Sequence, residues 1–397
     1  MTNAETVALT DQYIMKTYGR LPIAFVKGEG CRLWDADGKE YLDFLAGIAV
    51  LGTGHCHPKV VAAIRDQAGQ IMHTSNLFQI APQAELAKLL VDNSCADKAF
   101  FCNSGAEANE TAIKLARKWA GLHLAEGQRT IITALNSFHG RTLAAVTATG
   151  QEKYHQPFAP LPGGFDYVPY NDLAALQAKV DDTVCAIMLE PIIAEGGVLV
   201  PSVEYMQGVR ELCDARGLLL ILDEVQTGLG RTGKLFGYEH FGLEPDIFTL
   251  AKTLGGGFPI GACLAKDAVA SAFEPGNHAS TFGGNHLACA AGLAAVSVIL
   301  DEDLSGHAAA MGAFLAEQLL ALKSEAPLVA GVRGKGLLLG LELSAPKGTQ
   351  LEAACRERGL IVNKLQDQLL RLAPPLVLTQ AEAEEALGIL KEAMLAV

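Results

Sequence analysis

The chain of 397 residues is half hydrophobic and carries 31 Lys and Arg against 44 Asp and Glu, a formal charge of −13. That length predicts two or three domains around a large interior, and the acidic balance argues against a nucleic-acid surface or an anionic-membrane anchor, which need clustered Lys and Arg. Small metabolites are the expected partners. No window approaches the roughly 18 uninterrupted apolar residues of a membrane span, and MTNAETVALTDQ has neither the basic nor the apolar part of a signal peptide, so the expected location is the cytoplasm. Nine scattered cysteines, from Cys31 to Cys355 without a Cys-x-x-Cys pair, fit reduced core thiols rather than disulfides or a zinc ribbon.

In chain order, short extended segments surround FVKGEGCRLWDADGKEYLDF, with a turn at Asp37-Gly38 that suits a hairpin. His55-Cys56-His57 has no second ligand cluster at a recognisable spacing, and Pro58 follows at once; a loop entering a helix over 58–71 is expected, and no metal. Between residues 80 and 300, strand-like AFFC, TIITAL, VCAIMLE, LLLILDE, IFTLA and IGACLA alternate with amphipathic stretches such as ETAIKLARKWA and VEYMQGVRELCDA. Such alternation predicts an α/β fold with a mostly parallel central sheet covered by helices on both faces. The last third reads as helix, strand and helix (LAEQLLALK, GLLLGLEL, AEAEEALGILKEAML), a smaller α/β lobe that the N-terminal strands are expected to join. The expected division is 1–55 with the small domain, 56–300 as the large domain, and 301–397 as the rest of the small one.

In GLLLILDEVQTG the unalternating apolar run Leu218 to Leu222 reads as a strand buried on both faces, ending in Asp223 and Glu224. Ligands collect outside the carboxyl ends of such strands. Asp223 is therefore a ligand candidate, unless it caps the next element or pairs with a basic neighbour. In TLAKTLGGGFPIG, Lys252 stands at the end of another apolar strand and before three glycines. Lysines ordinarily occupy solvated faces, and a Schiff-base role is a good reason for one here. In NSGAEANETAIKLARKWA, Ser104 and Glu107 form a capping-box pattern, and Gly105 and Ala106 leave N–H groups open for a phosphate. In NSFHGRT, Phe138 and Arg141 offer an aromatic face and a carboxylate fork.

Gly228-Leu-Gly230-Arg-Thr-Gly233 matches G-x-G-x-x-G, but a dinucleotide fingerprint needs a helix opening there, and KLFGYEHFG is aromatic, glycine-broken and aperiodic. Each of the other segments alone has an ordinary structural explanation. Together they describe a pyridoxal phosphate site: a lysine for the carbonyl, an aspartate for the pyridine nitrogen, a helix start for the phosphate and a ring to stack on the cofactor. An ion pair at about 4 Å in an effective dielectric near 20 is worth roughly 4 kcal/mol, about three pK units. That is enough to keep a weakly basic ring nitrogen protonated.

The order and spacing of NSGAEANE, FHGR, EP-x-x-x-EGG, DEVQTGLGRTG, AKTLGGGFP, STFGGN and LRLAPPL, from about residue 20 onward, resemble the class III, fold-type I aminotransferases, most closely those acting on acetylornithine. The resemblance implies a pyridoxal 5′-phosphate enzyme, a homodimer with shared active sites. Lys252 would form the Schiff base and shuttle the proton. Asp223, Glu224, Val225 and Gln226 would border the cofactor, Asp223 on the ring nitrogen and Gln226 on the phenolic oxygen, with Phe138 stacked on the ring. Ser104, Gly105 and Ala106 would hold the phosphate, joined by Thr281 of the partner subunit. Arg141, with Ser280 of the partner subunit, would bind acetylornithine. The implied ping-pong reaction moves the δ-amino group of N2-acetyl-L-ornithine to 2-oxoglutarate, a step of arginine biosynthesis.

Glutamate brings a carboxylate beside the reacting carbon, whereas acetylornithine has only a distant one. The resemblance implies that Arg371 takes the near carboxylate and that Glu195 neutralises Arg371 otherwise, because an unpaired buried cation is costly. One departure is that Ile193-Ala194 stand where Gln-Gly is expected before Glu195-Gly196-Gly197. Rival readings are another ω-amino-acid aminotransferase (succinyl-diaminopimelate, ornithine or 4-aminobutyrate), an intramolecular aminomutase, and a non-catalytic cofactor-binding regulator. Ala46-Gly47-Ile48 offers a free α-ammonium no polar partner, which favours an acylated amine.

Overall fold

The computed structural model describes residues 1–397, arranged as three sheets wrapped in helices. Strands β1 (Phe25–Glu29), β2 (Arg32–Asp35) and β3 (Glu40–Asp43) form an antiparallel meander whose β2–β3 turn carries Gly38 at φ 89°. The central sheet takes β4 (Lys98–Cys102), β5 (Thr130–Ala134), β6 (Phe165–Val168), β7 (Val184–Leu189), β8 (Leu219–Asp223), β9 (Ile247–Leu250) and β10 (Gly261–Ala265). The third sheet takes β11 (Val329–Lys335), β12 (Leu338–Leu343), β14 (Asn363–Gln366) and β15 (Leu369–Leu372), while β13 (Leu360–Ile361) joins the first.

The central sheet runs in the order β4-β10-β9-β8-β7-β5-β6, parallel except that β10 is antiparallel to both of its neighbours. Its inner strands alternate between two apolar faces. Ile131, Met188, Leu219 and Ile221 join one core cluster, while Ile132, Ile187, Leu220 and Leu222 join the other. A parallel sheet covered on both sides has no solvated face, which explains the absence of polar alternation in LLLILD. The edge strand β6, FDYV, lacks such a run, so its sequence gives no strand signal beside the others.

Because β4, β5, β7, β8 and β9 point the same way, their carboxyl ends share one rim. That rim holds Asn103–Ala106, Asn136–Arg141, Glu190, Asp223 and Lys252. The β11-β12-β15-β14 sheet is antiparallel, and β13 pairs in parallel with β3, so the first and last parts of the chain are hydrogen-bonded together. Ala373 N donates to Phe44 O and Leu376 N to Gly52 O, which lays the end of β15 against the segment leading to the rim. The helix expected over 58–71 spans Pro58–Ala68 and stops before Gly69. His55 pairs with Asp43 at 2.7 Å rather than with its neighbour His57. No helix is long and apolar enough to cross a membrane.

Candidate active site

The rim encloses a cavity of about 430 Å³ lined by Ser104, Gly105 and Ala106, by Phe138 and Arg141, and by Glu190, Asp223, Val225, Gln226 and Lys252. At one wall, Ser104 caps the helix Gly105–His123: its Oγ accepts from Glu107 N at 3.2 Å. The free N–H groups and the positive dipole end of a 19-residue helix thus face the cavity. Gly105 is required by close approach, since a Cβ there would come 2.8 Å from Val225 Cγ1. Val225 in turn lines the cavity floor.

Asp223 ends β8 buried. Its Oδ2 accepts from Asn109 Nδ2 at 2.7 Å and from His139 Nδ1 at 2.8 Å, and its Oδ1 from Val225 N at 3.0 Å. Thr249 donates to Asn109 Oδ1 at 2.7 Å, extending the chain of donors across to β9. These bonds fix the carboxylate's orientation. His139 Nε2 is buried and has no partner within the chain. Asn109, His139 and Glu190 were not among the sequence candidates. Asn109 and His139 sit inside NSGAEAN and FHGR, and Glu190 ends VCAIMLE as Asp223 ends LLLILD, so a strand terminating in a carboxylate was the available signal.

Glu190 accepts from Phe138 N at 3.0 Å and from Ala194 N at 3.4 Å, linking the aromatic wall to the turn that bears Glu195. Burial, with Asp223 close by, pushes its carboxyl well above the usual range and favours the neutral acid. Lys252 follows β9 with φ 44°, a left-handed conformation that is unusual for a non-glycine residue and typical of functional positions. Its ammonium is pushed down to about 8 by desolvation in the cavity, opposed by Glu195 and reinforced by Arg371. Near neutral pH an appreciable fraction of this amine is unprotonated, as a nucleophile and proton carrier requires.

Arg371, on β15, is buried and held from three sides. Its Nη1 donates to Glu195 Oε1 at 2.5 Å and Gln226 Oε1 at 2.9 Å, and its Nη2 to Asn363 Oδ1 at 2.8 Å. Gln226 Nε2 also donates to Glu195 Oε1 at 3.1 Å, so both its amide atoms are engaged with this pair. Burial alone would raise the Glu195 carboxyl, but Arg371 and Lys252 outweigh it and the net shift is downward. The Ile193-Ala194 departure leaves this arrangement intact: both residues are buried, and Ile193 pairs with Leu199 at the base of the turn. Arg141 is exposed at the mouth, its guanidinium 4.0 Å from the Tyr154 ring and 5.4 Å from that of Phe138.

Two expectations need correction or relocation. Glu224 does not border the cavity. It follows Asp223 on an extended strand end, so its side chain points to the opposite side; there its carboxylate binds Thr227 and accepts from Gly237 N at 2.9 Å and Tyr238 N at 2.8 Å. Burial pushes it up to about 7 despite those donors. Ser280 and Thr281 do not enter this chain's own cavity either. They line a separate groove with Ser75, Asn76 and Phe100, where Ser280 Oγ accepts from Gly283 N at 2.9 Å.

The residues fit pyridoxal phosphate. An amine of lowered pKa, an oriented aspartate, a helix N-terminus and an aromatic side chain converge on one cavity, and the orphaned His139 nitrogen marks a polar wall not completed by the chain alone. Bound there, the cofactor supplies the electron sink that lets the carbon bearing the substrate's amino group lose a proton.

Comparison with known proteins agrees. The family model described as "Aminotransferase class-III" matches residues 13–394. An acetylornithine aminotransferase of Caldanaerobacter subterraneus subsp. tengcongensis is 54% identical over 383 residues, 96% of this chain and 97% of that protein. One from Synechocystis is 53% identical over 396 residues, 97% and 92% of the two chains. Among solved structures, the ornithine aminotransferase of Toxoplasma gondii superposes with a TM-score of 0.96 at 36% identity, covering 100% of this chain and 96% of that one. The acetylornithine aminotransferase of Elizabethkingia anophelis gives 0.90 at 36%, covering 100% of both. With a lysine, an aspartate and a phosphate-ready helix start on one rim, and a family match over nearly the whole length, the chain belongs to the class III aminotransferases.

Proposed function

We propose that the enzyme transfers the δ-amino group of N2-acetyl-L-ornithine to 2-oxoglutarate, giving N-acetyl-L-glutamate 5-semialdehyde and L-glutamate, by a ping-pong route. The observation that carries this reading is the Glu195–Arg371 pair at 2.5 Å beside the Lys252 cavity. Two substrates that differ in having a carboxylate at the reacting carbon need a cation that can be covered and uncovered. With the acylated diamine, Glu195 stays on Arg371 and no buried cation is left unpaired. With glutamate or 2-oxoglutarate, the near carboxylate takes Arg371 and Glu195 gives way. Arg141 at the mouth takes the distant carboxylate of either substrate. Lys252 Nζ would remove the proton from the carbon that carries the amino group and pass it on within the same half-reaction, and would carry a proton the opposite way in the second half. Asp223 would supply the negative charge for the cofactor's ring nitrogen, and the N–H groups at Gly105 and Ala106 would hold its phosphate. Gln226 is read as the partner of the phenolic oxygen.

The enzyme is read as a cytosolic homodimer, with Ser280 and Thr281 each completing the partner's cavity. Their position outside their own cavity supports this, as do Leu77, Phe78 and Phe282, which are exposed apolar side chains beside that groove. Residues 1–55 and 301–397 are read as one small domain and 56–300 as the cofactor domain. The relatives named for acetylornithine support the substrate. The test is a set of steady-state rates with acetylornithine, succinyl-diaminopimelate, ornithine and 4-aminobutyrate as donors, each with and without 2-oxoglutarate. Turnover of acetylornithine that needs 2-oxoglutarate supports the reading. A preference for a free diamine, or turnover without an acceptor, overturns it.

A further inference from the structure

The G-x-G-x-x-G run at 228–233 opens no α-helix, and what it builds instead is a buried cation. Arg231 is 0% exposed and no carboxylate forms an ion pair with it. Its Nη1 donates to two main-chain carbonyls, Leu337 O at 3.0 Å and Pro374 O at 2.5 Å, while Nε and Nη2 have no partner. In return Leu337 N donates to Arg231 O at 3.0 Å. The backbones here are in direct contact: a Cβ at Gly336 would lie 2.4 Å from Thr232 C and 2.8 Å from Arg231 O. Burying a guanidinium against carbonyls alone is unfavourable. Desolvation and the charge of Arg371 push it down to about 9, which still leaves it charged at neutral pH. A feature held at such expense calls for a role.

The two carbonyls stand at informative places. Leu337 precedes β12, whose Gly340 lies opposite Arg371, and Pro374 follows Arg371 by three residues. Arg231 itself follows Gln226 by five residues, in the loop that leaves β8. We propose that Arg231 is a positioning residue that ties the Gln226 loop to the strand that bears Arg371 and to β12 paired with it, and so holds the Arg371 guanidinium where it meets Glu195, Gln226 and a substrate's near carboxylate. Without the tie, β12 and β15 shift together relative to the loop, and the Arg371 fork loses its register with the cavity. The half-reaction that uses Arg371 suffers; the one in which Arg371 is covered by Glu195 suffers less. This rests on the proposed division of substrates above.

The test uses the holoenzyme with Arg231→Lys, which reaches one carbonyl, and Arg231→Met, which reaches neither. Single-turnover half-reactions are followed by the cofactor spectrum with glutamate and with acetylornithine, and folding by far-UV circular dichroism. Arg231→Met should raise half-saturation for glutamate at least tenfold while changing the acetylornithine value less than threefold, with Arg231→Lys in between. In a double variant with Arg371→Lys, the Arg231→Lys loss should largely vanish, because it acts through Arg371. Equal losses on both substrates, additive losses in the double variant, or unfolding of both single variants would each overturn the positioning role in favour of a purely structural one. If the wild-type enzyme accepts glutamate but not acetylornithine, the substrate reading fails instead, and the comparison stands on whichever ω-amine it does accept.

Discussion

Glu195 Oε1 lies 2.5 Å from Arg371 Nη1, yet the partners are unequal: the guanidinium is 1% exposed and the carboxylate 26%. Arg371 is the fixed member, held also by Gln226 and Asn363, and Glu195 is the one with room to move. Arg371→Ala should therefore weaken the glutamate half-reaction by about 2 to 5 kcal/mol, the range for truncating a buried hydrogen-bonded charge, and acetylornithine much less. Glu195→Gln should do the reverse, since it uncovers Arg371 for glutamate and leaves it uncompensated with acetylornithine. Pre-steady-state rates and affinities for each half-reaction decide the matter; parallel losses in both variants contradict the exchange.

The amine of Lys252 at about 8 gives a pH signature. Recombination of the apoenzyme with pyridoxal phosphate needs the neutral amine, so its rate should climb about tenfold per pH unit below 8 and level off above it. The negative charge of Glu195 holds that pKa up, so Glu195→Gln should displace the profile to lower pH. Stopped-flow absorbance measures it, and borohydride followed by peptide mapping should locate the cofactor on Lys252 and on no other lysine.

Asp223→Asn keeps the size of the side chain and removes its charge. Much of the cofactor should remain bound through the helix start at Gly105 and the Phe138 wall, while proton abstraction slows by orders of magnitude. A normal single-turnover deprotonation rate in this variant is incompatible with the charge opposite the ring nitrogen being needed.

On the proposed binding mode, in which each substrate places its distant carboxylate at the mouth, Arg141→Ala should impair both half-reactions. Tyr154→Leu, which removes only the ring 4.0 Å from that guanidinium, should cost about 0.5 to 1 kcal/mol in affinity for both substrates. A substrate-selective effect of Arg141→Ala would assign the mouth to one substrate only.

Glu224 supplies a stability prediction. Its folded pKa of about 7 lies above the unfolded value near 4.5. Its contribution is then fully present below pH 4.5 and is lost as the pH rises through 7, by about 3 kcal/mol at most. Glu224→Gln, which cannot ionise, should flatten the unfolding free energy across that window in urea titrations. An unchanged slope means that Glu224 is not the group that titrates.

The local parts of this site were legible because local physics makes them. A short unbroken apolar run in a chain of alternating strand and helix patterns reads as a strand covered on both faces, so LLLILD and IFTLA pointed to Asp223 and Lys252 standing at strand ends, and Ser104 with Glu107 to a helix start. The tertiary structure decided what depends on sheet order and on side-chain direction. Asp223 and Glu224 look equivalent in sequence, but consecutive residues of a strand point to opposite sides, and only the placed sheet shows which side holds the cavity. Arg371 and Glu195, 176 residues apart, meet because β15 is laid against the segment leading to the rim. Arg231 sat inside a glycine pattern that resembles a nucleotide loop; its burial against Leu337 and Pro374 is set by contacts more than a hundred residues distant in the chain, and no local periodicity encodes such contacts.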